Sequence, residues 1–431
     1  MTEVKESVVE PVYSTLAAAQ KAPAIGGLMS RALSNPDLLS LGAGFTDNTT
    51  LPVDLVRELV AKILDRPDAS SVLQYGTNQG RLGLREEVCR FLEVHPDESS
   101  ACLHPDNVMI TNGSQQALFL ATQSLCDPGD LILVERPTYF VFQTILQGLN
   151  LRPVGIPCRD DGSPDPDGLE QLLLEMKRDG RFKRLKAAYL VTYFSNPSTR
   201  SHSLDDKKTL ADILDRHAPK LPVIEDAAYR ELFFEEPHPV PSILSMEAYS
   251  KRPLLYLGTF TKPFATGLKV GYGICNQPTW RDKMLWMKGY QDFGTSHFAQ
   301  VIVEEVLRGG HYPDHLIRLR SGYRNKAVIF GHALEQQGIR DKGWHWRAPS
   351  GGLYYWVEGP GYIDTSFGEA FCETALSSGV LYVPGDLCFP DDRSRNFMRL
   401  SFGSLSEEKL QLAVERLGKV IRDFTREPVL A

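Results

Sequence analysis

From Asn107 onward, short apolar runs alternate with amphipathic segments of helical spacing. Val108-Met109-Ile110 predicts a strand and Gln115 to Leu125 a helix; Leu131-Ile132-Leu133-Val134 predicts a strand and Phe140 to Leu149 a helix. The pattern continues with a strand near Val154-Gly155-Ile156, a helix at Leu169 to Lys177, a strand at Ala187 to Thr192 and a helix at Leu204 to Arg216. Strands at Pro222 to Glu225, Leu254 to Leu257 and Val270 to Ile274 complete the run. Strands alternating with helices of this length predict an α/β domain with a mostly parallel sheet.

The flanking sequence has a different rhythm. Residues 1–25 read as an arm with at most one short helix, Ser14 to Lys21. Leu38 to Phe45 predicts a short strand entering a glycine turn, and Val53 to Leu64 a helix. The loop Leu73-Gln74-Tyr75-Gly76, with Gly80, Leu84 and Arg85 after it, leads into a helix ending near Leu92. A long helical stretch from Trp280 to Glu335, broken at Gly309-Gly310, should carry the chain out of the α/β domain. Beyond it, strands at Gly351 to Val357, Val380 to Val383 and Met398 to Phe402, with helices at Phe367 to Leu376 and Ser406 to Phe424, predict a smaller α+β domain. The expected division is an N-terminal arm and part of the small domain (1–50), a large domain (51–310) and a small C-terminal domain (311–431).

At 431 residues the chain is too long for one compact core, which suits this division. A net charge of −7 argues against binding a nucleic-acid backbone as the main activity. The seven cysteines (Cys89, Cys102, Cys126, Cys158, Cys275, Cys372 and Cys388) are scattered without a CxxC pair, and the ten histidines show no metal-ligand spacing. Reduced thiols in a reducing compartment are the expectation, with no metal site. The start, Met1-Thr2-Glu3-Val4-Lys5-Glu6, lacks the apolar core of a secretory signal, and no apolar run is long enough to span a bilayer. These readings point to the cytoplasm.

Candidate chemistry gathers at predicted strand ends, where open α/β sheets bind ligands. Lys262 lies in Leu257-Gly258-Thr259-Phe260-Thr261-Lys262, between two strand-like runs and among hydroxyls and glycines. A lysine so placed is partly desolvated, which favours a nucleophilic neutral amine. Alone, the segment would equally suit a surface-paired loop lysine. Thr111-Asn112-Gly113-Ser114-Gln115-Gln116 opens a helix after the first strand and could form an anion site, although an ordinary capping turn looks the same. Asn196-Pro197 is by itself a turn signal, and Tyr139 could be a rim tyrosine. Val223-Ile224-Glu225-Asp226 ends a buried strand on two carboxylates, which alternation sends to opposite faces. Asn396-Phe397-Met398-Arg399-Leu400-Ser401-Phe402 puts an arginine inside an apolar strand, where it wants a bidentate anion, from a ligand or from a structural ion pair.

In their order along residues 38 to 422, these motifs resemble the pyridoxal 5'-phosphate (PLP) enzymes of fold type I, and within them the kynurenine/2-aminoadipate branch of the class I/II aminotransferases. The resemblance implies that Lys262 carries the cofactor as a Schiff base and that Thr259, Thr261, Gly113, Ser114 and Gln115 hold its phosphate. Lys269 stands where the family has arginine, and Thr266 where it often has proline, which puts cofactor affinity in question. Tyr139 takes the position of the ring that stacks on the pyridine, Asp226 that of the partner of the pyridine nitrogen, and Asn196 and Tyr229 those of the partners of the phenolic oxygen. Arg399 takes the place of the substrate-carboxylate clamp, with Asn196 and Gly44 of Ser40-Leu41-Gly42-Ala43-Gly44 beside it. Tyr75 resembles a tyrosine that reaches the phosphate from a neighbouring subunit, which implies a homodimer with a shared site. The implied activity is transfer of an amino group from an L-amino acid to a 2-oxo acid, with Lys262, Asp226 and Tyr229 catalytic. A PLP lyase, an amino-acid oxidase and a regulator built on the same body are the alternatives. The regulators carry a DNA-binding domain that is not expected here, so no nucleic acid and no membrane are expected among the partners.

Overall fold

Seven strands form the central sheet of the computed structural model, which describes residues 11–425 apart from 19, 21–25, 28–34, 36, 43, 96–97, 99–101 and 392–393. In chain order they are β1 (Val108–Asn112), β2 (Leu131–Val134), β3 (Arg152–Gly155), β4 (Leu185–Val191), β5 (Val223–Asp226), β6 (Leu254–Thr259) and β7 (Val270–Cys275). Their spatial order is β1-β7-β6-β5-β4-β2-β3. Neighbours from β6 to β3 run parallel, and β7 alone is antiparallel to both of its neighbours. Strands β2, β5, β6 and β7 are buried along their whole length, because helices cover both faces. That double burial is why they read as continuous apolar runs in the sequence.

A second sheet is fully antiparallel, built from β8 (His345–Trp346), β9 (Tyr354–Glu358), β10 (Val383–Pro384) and β11 (Phe397–Ser401) in the order β10-β11-β9-β8. The helices Ala370–Ser377 and Glu407–Phe424 follow the same stretch of chain. Leu39–Ser40 pairs in parallel with Val380–Leu381, so the segment before the first long helix is tied to the C-terminal part of the chain.

Several boundaries differ from the sequence expectation for local reasons. The stretch from Trp280 breaks twice, giving helices Pro278–Gln291, His297–Arg308 and His311–Gln336. The missed break lies at Asp292, whose carboxylate accepts from the Gly294 N–H while Phe293 and Gly294 take positive φ angles of 51° and 118°. Val380 to Val383 is two short strands in different sheets, divided at Tyr382. The strand expected from Gly351 begins only at Tyr354, since Gly352 turns through φ 78°. The helix expected from Phe367 starts at Ala370, and the strand expected over Leu38 to Phe45 is confined to Leu39–Ser40. In the arm, Thr15–Ala18 is a single helical turn; Lys21, the end of the expected helix, lies outside the described residues, as does Ala43.

Candidate active site

The polar motifs at the strand ends of the central sheet line one cleft. Its walls include Gly113, Ser114 and Gln115 after β1, Asp226 and Tyr229 after β5, and Thr259, Thr261, Lys262 and Lys269 from the β6–β7 connection. Tyr139 and Asn196 line it as well. A second compartment shares Tyr139, Asn196, Tyr229 and Lys262 and extends to Gly44, Phe45, Phe140, Tyr354 and Arg399. Tyr75 is the one expected site residue outside both; it is 82% exposed and packs edge-on against Phe293.

The floor of the cleft is the N-terminus of helix Gly113–Leu125. No side chain caps it, so N–H groups of its first turn remain to bind an anion. Gly113 has φ 64°, and Gly271 on β7 passes so close that a Cβ there would lie 2.5 Å from the Ser114 nitrogen. Only glycine allows helix and strand to approach in this way. The Thr259 hydroxyl accepts from the Thr261 N–H, while the buried Thr261 hydroxyl has no hydrogen-bond partner among the described residues.

Lys262 follows from the turn after the buried strand β6. Burial pushes its ammonium below the ordinary lysine range, and nearby Arg399 and Lys269 push the same way against Tyr354. Its Nζ donates to the Gly44 carbonyl. Opposite, Asp226 is buried, with Oδ2 accepting from the Tyr189 hydroxyl at 2.8 Å and Oδ1 from the Ala228 N–H at 3.0 Å. Burial raises its carboxyl to about 6, although both hydrogen bonds favour the ionised form. Glu225 points away from the cleft. Its Oε1 accepts from Lys207 Nζ at 3.0 Å and from the Thr192 hydroxyl at 2.6 Å, and its Oε2 from the Ile243 N–H. One of the adjacent carboxylates therefore already has a buried cation, and the other does not.

Arg399, on β11, is 2% exposed and among the described residues reaches only neutral acceptors: the Asn196 Oδ1 at 3.1 Å and the Gly42 carbonyl at 2.7 Å. Its Nε has no partner among the described residues. A guanidinium buried without a carboxylate is costly unless an anion completes it. Tyr229 accepts from Asn196 Nδ2 at 3.3 Å, and its hydroxyl lies 2.9 Å from that of Tyr354.

Open helix N–H groups, a free threonine hydroxyl, a buried carboxylate without a cation and a desolvated lysine fit a ligand that brings a phosphate, a protonatable ring nitrogen and a carbonyl. Residues 36–417 match the family model "Aminotransferase class I and II", and the chain belongs to that family. It is a PLP-dependent transaminase. The chain is 31% identical to the aromatic-amino-acid aminotransferase 1 of Thermococcus litoralis, over 96% of this chain and 95% of that one. It is also 31% identical to the 2-aminoadipate transaminase of Thermus thermophilus, over 90% and 91% of the two chains. Among solved structures, the kynurenine aminotransferase of Pyrococcus horikoshii superposes with a TM-score of 0.85 at 29% identity, covering 96% of this chain and 98% of that one.

Tyr189 and Tyr354 line the site; Tyr354 belongs to residues 351–356, a segment expected to bear on specificity without a role for any one residue, and Tyr189 was not singled out. Each lies within an apolar strand run, where a tyrosine reads as core. The only sequence signal was proximity to motif residues, and that does not single out a phenol.

Proposed function

We propose that this transaminase takes an L-amino acid with a large apolar or aromatic side chain and that Arg399 holds the α-carboxylate of donor and acceptor alike. The observation that carries this reading is the buried Arg399 without a carboxylate, set in a compartment walled by Phe45, Tyr139, Phe140, Val141 and Tyr354. Lys262 and Arg399 are the only charged groups among the described residues of that compartment, which among those residues offers no second cation to an acidic side chain. The similarity to an aromatic-amino-acid aminotransferase supports the assignment.

Pyridoxal phosphate, when bound, supplies an electron sink for the charge that develops at the substrate Cα. The residues around it then divide the work. Gly113, Ser114, Gln115, Thr259, Thr261 and Lys269 would hold the phosphate, and Tyr139 would pack against the ring. Asp226 would keep the ring nitrogen protonated, and Asn196 and Tyr229 would donate to the phenolic oxygen. Lys262 Nζ, with its lowered proton affinity, would be the base that takes up and moves the substrate Cα proton.

The seven-stranded unit would carry the cofactor and the antiparallel unit the clamp, with the division near residue 310. We further infer a cytoplasmic homodimer in which the exposed Tyr75 reaches the partner's phosphate; seven cysteines, none of them in a disulfide, suit a reducing compartment. Among the described residues no helix is long and apolar enough to cross a membrane.

The test is Arg399→Ala assayed in each half-reaction. Truncating a buried charged partner should lower kcat/KM about 10²-fold for both the amino acid and the 2-oxo acid. Phenylalanine or tyrosine should outperform 2-aminoadipate in the parent enzyme. A loss confined to one half-reaction, or a preference for 2-aminoadipate, would refute the assignment.

A further inference from the structure

Tyr354 opens β9 and is buried. Strand register pairs Tyr354 with Ser401 and Trp356 with Arg399, so these four side chains share one face of the small sheet. The Arg399 guanidinium carbon sits 4.3 Å from the centre of the Tyr354 ring. From there the Tyr354 hydroxyl reaches 2.9 Å to the Tyr229 hydroxyl, on the turn after β5 of the other sheet. Asn196 closes the circuit through its bonds to Tyr229 and Arg399. The hydroxyl also borders the reacting lysine: a Cβ on Gly44 would stand 3.1 Å from Tyr354 Oη and 3.7 Å from Lys262 Nζ.

Packing alone does not explain the hydroxyl, because a phenylalanine would supply the same ring beneath Arg399. The proton count does. Tyr229 has a single proton, and Asn196 Nδ2 is a donor to it. If Tyr229 donates to the phenolic oxygen of the cofactor, as proposed above and as this inference requires, its proton is committed there. The bond between the two phenols then has one possible direction. We propose that Tyr354 is a positioning residue whose hydroxyl donates to Tyr229, directing the Tyr229 proton to the cofactor and coupling that proton to the Arg399 clamp. Accepting two hydrogen bonds polarises the Tyr229 O–H and makes it a stronger donor.

The test is a pH titration of the visible absorption of the PLP-loaded protein without substrate. Tyr354→Phe keeps the ring and removes the donor, so Tyr229 stabilises the deprotonated cofactor less well. The midpoint should rise by roughly half a unit to one unit, the size of one net hydrogen bond. Tyr229→Phe should raise it further, and Tyr354→Phe added to Tyr229→Phe should give no additional shift. An unchanged midpoint in Tyr354→Phe beside a shifted one in Tyr229→Phe would overturn the proposal, as would full additivity in the double variant. An unmoved midpoint in Tyr229→Phe would instead remove the role of Tyr229 on which the proposal rests.

Discussion

Replacing Lys262 with alanine is expected to abolish covalent attachment of the cofactor and to lower turnover by roughly 10⁴-fold or more. Two losses coincide. The positioned base that moves the Cα proton is worth about 10²–10⁴-fold by itself, and the covalent link that presents the cofactor disappears with it. Among the described residues of the cleft the one other lysine is Lys269, proposed above for the phosphate, with its backbone at φ 57°. Borohydride reduction followed by peptide mapping should find the cofactor on the peptide containing Lys262 in the parent protein and on none in the variant. An adduct on Lys269 would contradict the assignment.

Asp226→Asn should cost about 3–4 kcal/mol of transition-state stabilisation, the usual scale for one well-placed electrostatic partner, and so roughly 10²–10³-fold in kcat. The amide cannot compensate a positive ring nitrogen, so the ring loses its proton and its power to accept charge. The neighbouring carboxylate provides the control. Glu225→Gln leaves Lys207 as a buried ammonium without an anion, which should destabilise the fold by roughly 3 kcal/mol or more. Its kcat, measured on the folded fraction, should stay near that of the parent. Denaturant unfolding and single-turnover kinetics on both variants separate the two effects. Equal kinetic losses at the two positions would show that the carboxylates have been assigned wrongly.

The sequence made these two carboxylates distinguishable because strand alternation is a strict geometric rule, and the structure places them on opposite sides of β5. Threonines and glycines between two buried strands marked a turn at a sheet end, but the role of Lys262 became legible only from the order of the other motifs along the chain. Arg399 stood out because a charge within an apolar strand demands an explanation. Tyr189 did not stand out, and within residues 351–356 nothing singled out Tyr354, because a buried tyrosine has the same sequence appearance whether its hydroxyl meets a backbone carbonyl or a buried carboxylate. Tyr355, the neighbour of Tyr354, faces the other way and donates to the Ala327 carbonyl, an ordinary core role. The second break in the long helix was hidden as well. Asp292-Phe293-Gly294 stops it through backbone angles and a carboxylate that also accepts from Asn112, Gln116 and Lys288. That contact spans some 180 residues of sequence and leaves no local signature.

Transamination differs from elimination and oxidation in where the nitrogen goes, and a single experiment without oxygen follows it. The PLP-loaded protein, mixed with phenylalanine and no acceptor, should release one 2-oxo acid per site and retain the nitrogen as pyridoxamine phosphate, with loss of the visible absorption. Adding a 2-oxo acid should restore that absorption and yield a second amino acid. Continuous ammonia release without an acceptor, or a requirement for oxygen, would contradict the account.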